Sequence, residues 1–91
     1  MYGIDYSTTF KKSYKRCIKR GLPIEELNHV IKVLASGEPL DPKYKDHALT
    51  GNFTSYRECH IRPDWLLVYR INQLVELLYL QNTGTHSDIF G

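Results

Sequence analysis

The chain has 91 residues, 42% of them hydrophobic and 24% charged, with a formal net charge of +2. That length holds a single domain (residues 1–91) with one modest core, and the balanced composition excludes an intrinsically disordered chain. No segment approaches the roughly 18 apolar residues that span a bilayer, and the start lacks a signal-type apolar stretch, so a cytoplasmic protein without membrane contact is expected.

Tyr2, Ile4 and Tyr6 alternate with Gly3 and Asp5, which predicts a short strand. Ser7 or Thr8 then caps a helix over residues 8–20, in which Phe10, Tyr14, Cys17 and Ile18 share one face and Gly21 marks the end. The remaining surface of that helix holds Lys11, Lys12, Lys15, Arg16, Lys19 and Arg20, half of the 12 basic residues of the chain. A cationic face of this kind gives salt-sensitive, sequence-independent affinity for nucleic acid; an acidic protein partner is the competing reading. Pro23 fits the first turn of a second helix with Ile24, Leu27, Val30, Ile31 and Leu34 as its stripe and Gly37 as its stop. His29 falls opposite that stripe and should face solvent.

Glu38 to Asp46 reads as an exposed loop. Residues 52–61 alternate as a strand, with Cys59 and Ile61 opposite in parity to Tyr56 and His60, and Arg62-Pro63-Asp64 supplies a turn. Trp65–Ile71 and Leu74–Leu80 form the clearest hairpin, joined at Asn72-Gln73, and Thr83–Gly91 is expected to be an irregular tail. Two helices followed by a run of strands predict an α+β domain, β-α-α-β-β-β, with both helices on one face of a small, mainly antiparallel sheet. The other sheet face is then open to His60, to the loop after Pro39 and to the tail. Cys17 and Cys59 form no metal or disulfide motif and read as buried thiols.

Three histidines, His47, His60 and His86, lie in short polar and aromatic clusters. Imidazole takes and gives protons near neutrality, and RNA is cut without a metal when a base deprotonates the 2′-hydroxyl, a cation steadies the phosphorane and an acid protonates the departing oxygen. His47, His60, Asp64 and His86 are the candidate acid–base set, and Arg57 is the candidate for phosphate. Trp65 and Phe90 are candidates for stacking on bases, with a core role as the alternative for Trp65. A single histidine of this kind is often a partly buried imidazole bonded to a carbonyl. Metal binding is not expected, because no local pair has ligand spacing and Pro63 prevents a helix from presenting His60 and Asp64 together. No cofactor is expected either.

The segments YKDHALTG, YRECHIRPDWLLVYRI and LQNTGTHSDIFG resemble, in order and spacing, the YafQ branch of the RelE/ParE toxin superfamily. The likeness covers Pro39 to Gly91 by motif, while the helices agree in order and character. It implies a RelE-like fold and the toxin of a type II toxin–antitoxin pair. It further implies an endoribonuclease that cuts mRNA in the ribosomal A site and is held inactive by a RelB/DinJ-like antitoxin, in a hetero-oligomer. The motif positions carry over to His47, His60, Asp64, Trp65, His86 and Phe90, with His60 or His47 as base and His86 as acid. Ribosome-bound relatives imply that the Lys11–Arg20 face meets ribosomal RNA. Glu58 departs from the Asp that such sequences can have, which leaves its role open. The alternatives are a non-catalytic ParE-like inhibitor, for example of DNA gyrase, and an RNA-binding domain with structural histidines.

Overall fold

The computed structural model describes residues 1–91. Its elements are β1 (Gly3–Tyr6), α1 (Thr8–Lys19), α2 (Ile24–Ser36), β2 (His47–Ala48), β3 (Arg57–Arg62), β4 (Trp65–Asn72), β5 (Leu77–Gly84) and α3 (His86–Phe90). The five strands form one sheet in the order β1-β5-β4-β3-β2, with β1 parallel to β5 and every other pair antiparallel. The expected α+β architecture is the observed one.

Ser7 caps α1 by accepting the Phe10 N–H, and its hydroxyl donates to Gln81 O at 2.6 Å, which fastens the helix start to β5. Gly37 closes α2 in the left-handed conformation, at φ 81°. Leu27, Val30, Ile31, Leu34 and Ala35 of α2 join Phe10 and Cys17 of α1 over Cys59, Ile61, Trp65, Leu67, Tyr69, Leu78 and Leu80 of the sheet. Each fully buried aliphatic side chain there contributes about 1.5–3 kcal/mol. Both cysteines are free, buried thiols, and His29 is exposed.

The core side chains of β3 and β4 point toward the helices, so strand alternation places Glu58, His60, Leu66 and Val68 on the other face. That face is not bare, since Leu66 and Val68 are fully buried.

The local differences from expectation have physical causes. The hairpin turn is longer than Asn72-Gln73, because the Asn72 side chain accepts the Leu74 and Val75 N–H groups and Glu76 takes φ 52°; β5 therefore begins at Leu77 and runs to Gly84. The tail is ordered into α3. Thr85 and Asp88 form a reciprocal capping box that starts this short helix. A two-residue strand, β2, brings His47 opposite Glu58. No helix is long and apolar enough to cross a membrane.

Candidate active site

At the centre of the site is a carboxylate. Glu58 precedes His60 by two residues on β3, so both side chains leave the same sheet face. The Glu58 side chain is only 6% exposed, and its Oε2 lies 3.1 Å from His47 Nε2. Its Oε1 is 4.0 Å from His60 Nε2 and 3.9 Å from His86 Nε2. That oxygen is buried and has no hydrogen-bond partner, an arrangement that costs about 1–3 kcal/mol.

The other ring nitrogen of each histidine is already engaged. His47 Nδ1 is 2.8 Å from Lys45 O, and His60 Nδ1 is 3.3 Å from Pro63 O. A carbonyl only accepts, so both Nδ1 atoms hold a hydrogen and only Nε2 remains free to exchange one. His86 Nδ1 is 2.9 Å from Asp64 Oδ1, and the same oxygen accepts the His86 backbone N–H at 3.1 Å. These two bonds, the side-chain one first, hold the Asp64 carboxyl below its usual range. Three imidazoles thus aim Nε2 at one carboxylate from β2, β3 and α3, with neighbouring rings 6.2 and 5.9 Å apart between centroids. Because His47 Nδ1 is a donor, its 3.1 Å contact with Glu58 requires a shared proton between Nε2 and the carboxylate.

The structure therefore brings together His47, His60, Asp64 and His86. It adds Glu58, whose role the sequence left open although the i, i+2 spacing in an alternating strand placed it beside His60. Phe90 stands at the rim, 43% exposed, edge-on to Phe53 at 5.2 Å and 6.5 Å from the His86 ring.

Two expected substrate contacts lie elsewhere. Trp65 is 2% exposed, on the helix side of the sheet, and its indole N–H donates to the buried Thr83 hydroxyl at 3.1 Å; it is a core residue and offers no face to a base. Arg57 has the parity of Cys59, not of His60, and its guanidinium donates to Asp46 at 3.0 and 3.2 Å. Asp46 also accepts the Tyr69 hydroxyl, which burial and that carboxylate push above the normal tyrosine range. Arg57 is thus a structural ion pair outside the cluster.

The cationic face of α1 is divided. None of the ion pairs in the structure involves Lys11, Lys12, Lys15 or Lys19, whereas Arg20 binds Asp88 of α3 at 2.6 and 3.2 Å and Arg16 lies 4.0 Å from the same carboxylate.

Ligand atoms of His47, Glu58 and His60 lie within 4.8 Å of one another, with His86 Nε2 close to the same carboxylate. Imidazole and carboxylate donors suit zinc or copper(II), and rings anchored through Nδ1 are the usual support of metal-binding histidines. The unpartnered Glu58 Oε1 fits a cation. The fold, by joining β2 to β3, thus creates the ligand grouping that sequence spacing argued against.

The chain is similar to known proteins over nearly its whole length. Residues 2–91 match the family described as "Bacterial toxin of type II toxin-antitoxin system, YafQ". The mRNA interferase toxin YafQ of Escherichia coli strain K12 is 37% identical over 89 residues, covering 97% of this chain and 95% of the relative. Among solved structures, a metal-bound toxin from Helicobacter pylori is 43% identical with a TM-score of 0.93, covering 99% of this chain and 100% of that one. YafQ in the E. coli DinJ-YafQ complex is 36% identical with a TM-score of 0.91, and the match covers both chains completely.

Proposed function

The chain belongs to the YafQ family of bacterial type II toxins, and from that premise we propose that it is a ribosome-dependent endoribonuclease cutting mRNA in the A site by metal-independent acid–base catalysis. As a family member it is an mRNA interferase, with a DinJ/RelB-like antitoxin as its partner. One observation supports the finer chemistry above all others: three imidazole Nε2 atoms converge on buried Glu58 while every Nδ1 is held.

The roles follow from which nitrogen is free. His60 Nε2 is 4.0 Å from Glu58, beyond hydrogen-bond range, so in its neutral form it keeps a lone pair to take the proton of the 2′-hydroxyl. The 2′-oxygen attacks phosphorus and the bond to the 5′-oxygen breaks. His86, ion-paired with Asp64 through Nδ1, gives its Nε2 proton to that oxygen. His47, sharing a proton with Glu58, faces the charge that builds on the phosphorane. The products are a 2′,3′-cyclic phosphate and a 5′-hydroxyl. Phe90, exposed beside His86, packs against the nucleotide. His47, Glu58 and His60 would also hold a zinc or copper(II) ion, which would occupy the lone pairs that the proton transfers use. Lys11, Lys12, Lys15 and Lys19 provide the unpaired charge for ribosomal RNA.

Translation in vitro with mapping of mRNA ends, with and without ribosomes, tests this reading. Cuts are expected only with ribosomes and are lost in His86→Ala, while antitoxin binding persists. Intact mRNA in stalled ribosomes would favour a non-catalytic inhibitor.

A further inference from the structure

We infer that the cavity beside His60 is a phosphate subsite for the nucleotide adjoining the cut bond, an inference that rests on the endoribonuclease reading above. The cavity, of about 400 Å³, is bordered by Glu26, Lys43, Tyr44, Lys45 and Arg62 and shares His60 with the catalytic cluster. Three cations face one carboxylate. Both oxygens of Glu26 are taken by Arg62, at 3.1 and 2.6 Å. Lys43 rests over the Tyr44 ring, 5.2 Å from its centroid, and Lys45 belongs to no ion pair of the structure. Two ammonium groups outside any ion pair, with Glu26 already held by Arg62, therefore line a concave surface, which focuses the field on an anion.

The loop holding these lysines is coupled to the catalytic rings. Lys45 adopts φ 52°, its N–H donates to Pro42 O at 3.0 Å, and its carbonyl accepts His47 Nδ1 at 2.8 Å. The phosphate under attack must meet the Nε2 atoms around Glu58. An RNA strand leaving that point on the His60 side passes its next phosphate over Lys43 and Lys45. Arg57 cannot serve there, because it lies on the other sheet face with Asp46.

Cleavage of ribosome-bound mRNA should be measured with a neutral methylphosphonate placed at the linkage on either side of the cut bond, for the wild type and for Lys43→Gln/Lys45→Gln. One of the two neutral linkages is expected to lower wild-type cleavage efficiency about tenfold. The double variant should lose about as much on unmodified mRNA and nothing further on the neutral linkage. Losses that multiply, or no loss with either linkage, would overturn the subsite. Failure of the wild type to cut unmodified mRNA would sink the endoribonuclease reading and the subsite with it.

At the other end of the site, the geometry points to Arg20 and Asp88 as positioning residues for His86. A five-residue helix does not hold itself together in water, and α3 is clamped on both sides of its histidine. Asp88 accepts the Thr85 N–H at 2.9 Å and both Arg20 guanidinium contacts. A Cβ at Gly84, where φ is +148°, would meet Asp88 Oδ2 at 2.7 Å, so this close seat requires glycine. On the opposite side Asp64 grips the His86 backbone and ring. Arg20 thus ties the cationic helix to the general acid.

In Arg20→Met, single-turnover cleavage on the ribosome should fall about tenfold or more, with ribosome affinity within about twofold of wild type and part of the rate recovered in Arg20→Lys. Asp88→Asn, which keeps a capping oxygen, should show the same split. An unchanged rate, or a loss confined to ribosome affinity, would overturn the positioning role and make Arg20 an RNA contact.

Discussion

Trp65→Phe separates packing from substrate contact more sharply than any other change in this chain. The indole is 2% exposed and its N–H reaches Thr83 Oγ1 at 3.1 Å, while the Thr83 hydroxyl itself donates to Leu66 O at 2.7 Å. Phenylalanine removes that hydrogen bond, worth about 1 kcal/mol, and leaves part of the ring volume unfilled, worth about 1–2 kcal/mol. Thr83 keeps its bond to Leu66 O, so no buried donor is orphaned and the first figure does not grow. The sum is about 2–3 kcal/mol. For a chain of 91 residues this is a fall in Tm of roughly 10–20 °C, since each kcal/mol shifts Tm by about 4–8 °C at this size. Urea titration should show a lower midpoint at unchanged slope, and the rate of mRNA cleavage well below the new Tm should stay within about threefold of wild type. Wild-type stability together with abolished cleavage would refute the reasoning and return Trp65 to the substrate.

Arg57→Ala should lower stability by about 1 kcal/mol, through loss of a half-exposed ion pair with Asp46, and leave cleavage rates near normal; a hundredfold loss of rate at normal ribosome affinity would place Arg57 on the phosphate. Contacts with Arg20, then with Thr85, hold the Asp88 carboxyl below its usual range, so its contribution to stability is full above the unfolded value of about 3.9 and fades as pH falls through the folded value. The stability gap between wild type and Asp88→Asn should therefore be largest near neutrality and shrink below about pH 4; an equal gap from pH 7 to pH 2 counts against the pair. Zinc or copper(II) in stoichiometric amounts should suppress cleavage and raise Tm, both reversed by chelator, with the rise in Tm absent in His47→Ala/His60→Ala; unaltered cleavage by fully loaded protein would dissociate the ligand grouping from the catalytic one. Glu58→Gln should slow cleavage about a hundredfold or more without lowering Tm; cleavage at the wild-type rate would remove the carboxylate from the mechanism.

Fold class was legible because each element announces itself through periodicity: the stripes of α1 and α2, and the alternation around Cys59, Ile61 and His60. The same alternation, extended one residue either way, also fixes the faces of the neighbouring side chains. Arg57 shares the parity of Cys59 and had to fall on the helix side, while Glu58 shares that of His60 and had to fall in the site. Trp65, Leu67 and Tyr69 form one i, i+2 row, which makes the tryptophan core. Thr85 and Asp88 stand at capping-box spacing, so α3 was readable within the apparently irregular tail. The approach of His47 to Glu58 was not legible, because a strand of two residues has no periodicity and its pairing is decided by the loop that returns to β3. Arg20 was hidden for a related reason. Its partner lies 68 residues away, and a cation on a helix face looks the same whether it meets solvent or a carboxylate.

On the proposed mechanism, Glu58 and Trp65 set stability and activity against each other in this domain. Trp65 is satisfied: apolar surface buried on all sides, and its one donor met by the Thr83 hydroxyl. Glu58 is unsatisfied: a buried carboxylate with one oxygen on His47 and the other facing two nitrogens at about 4 Å, too far to bond. A buried charge in that state destabilises the fold and is tolerated because β2, β3 and α3 are each fixed by other contacts, namely the sheet ladder, the core and the Arg20–Asp88 pair. Charge-neutral Gln at Glu58 relieves the desolvation yet can donate to His47 Nε2, which turns that ring from a shared-proton donor into a neutral acceptor. The phosphorane of the proposed mechanism then loses its facing positive charge. A variant at least as stable as the wild type but catalytically slow is the signature of a carboxylate kept for its effect on three imidazoles.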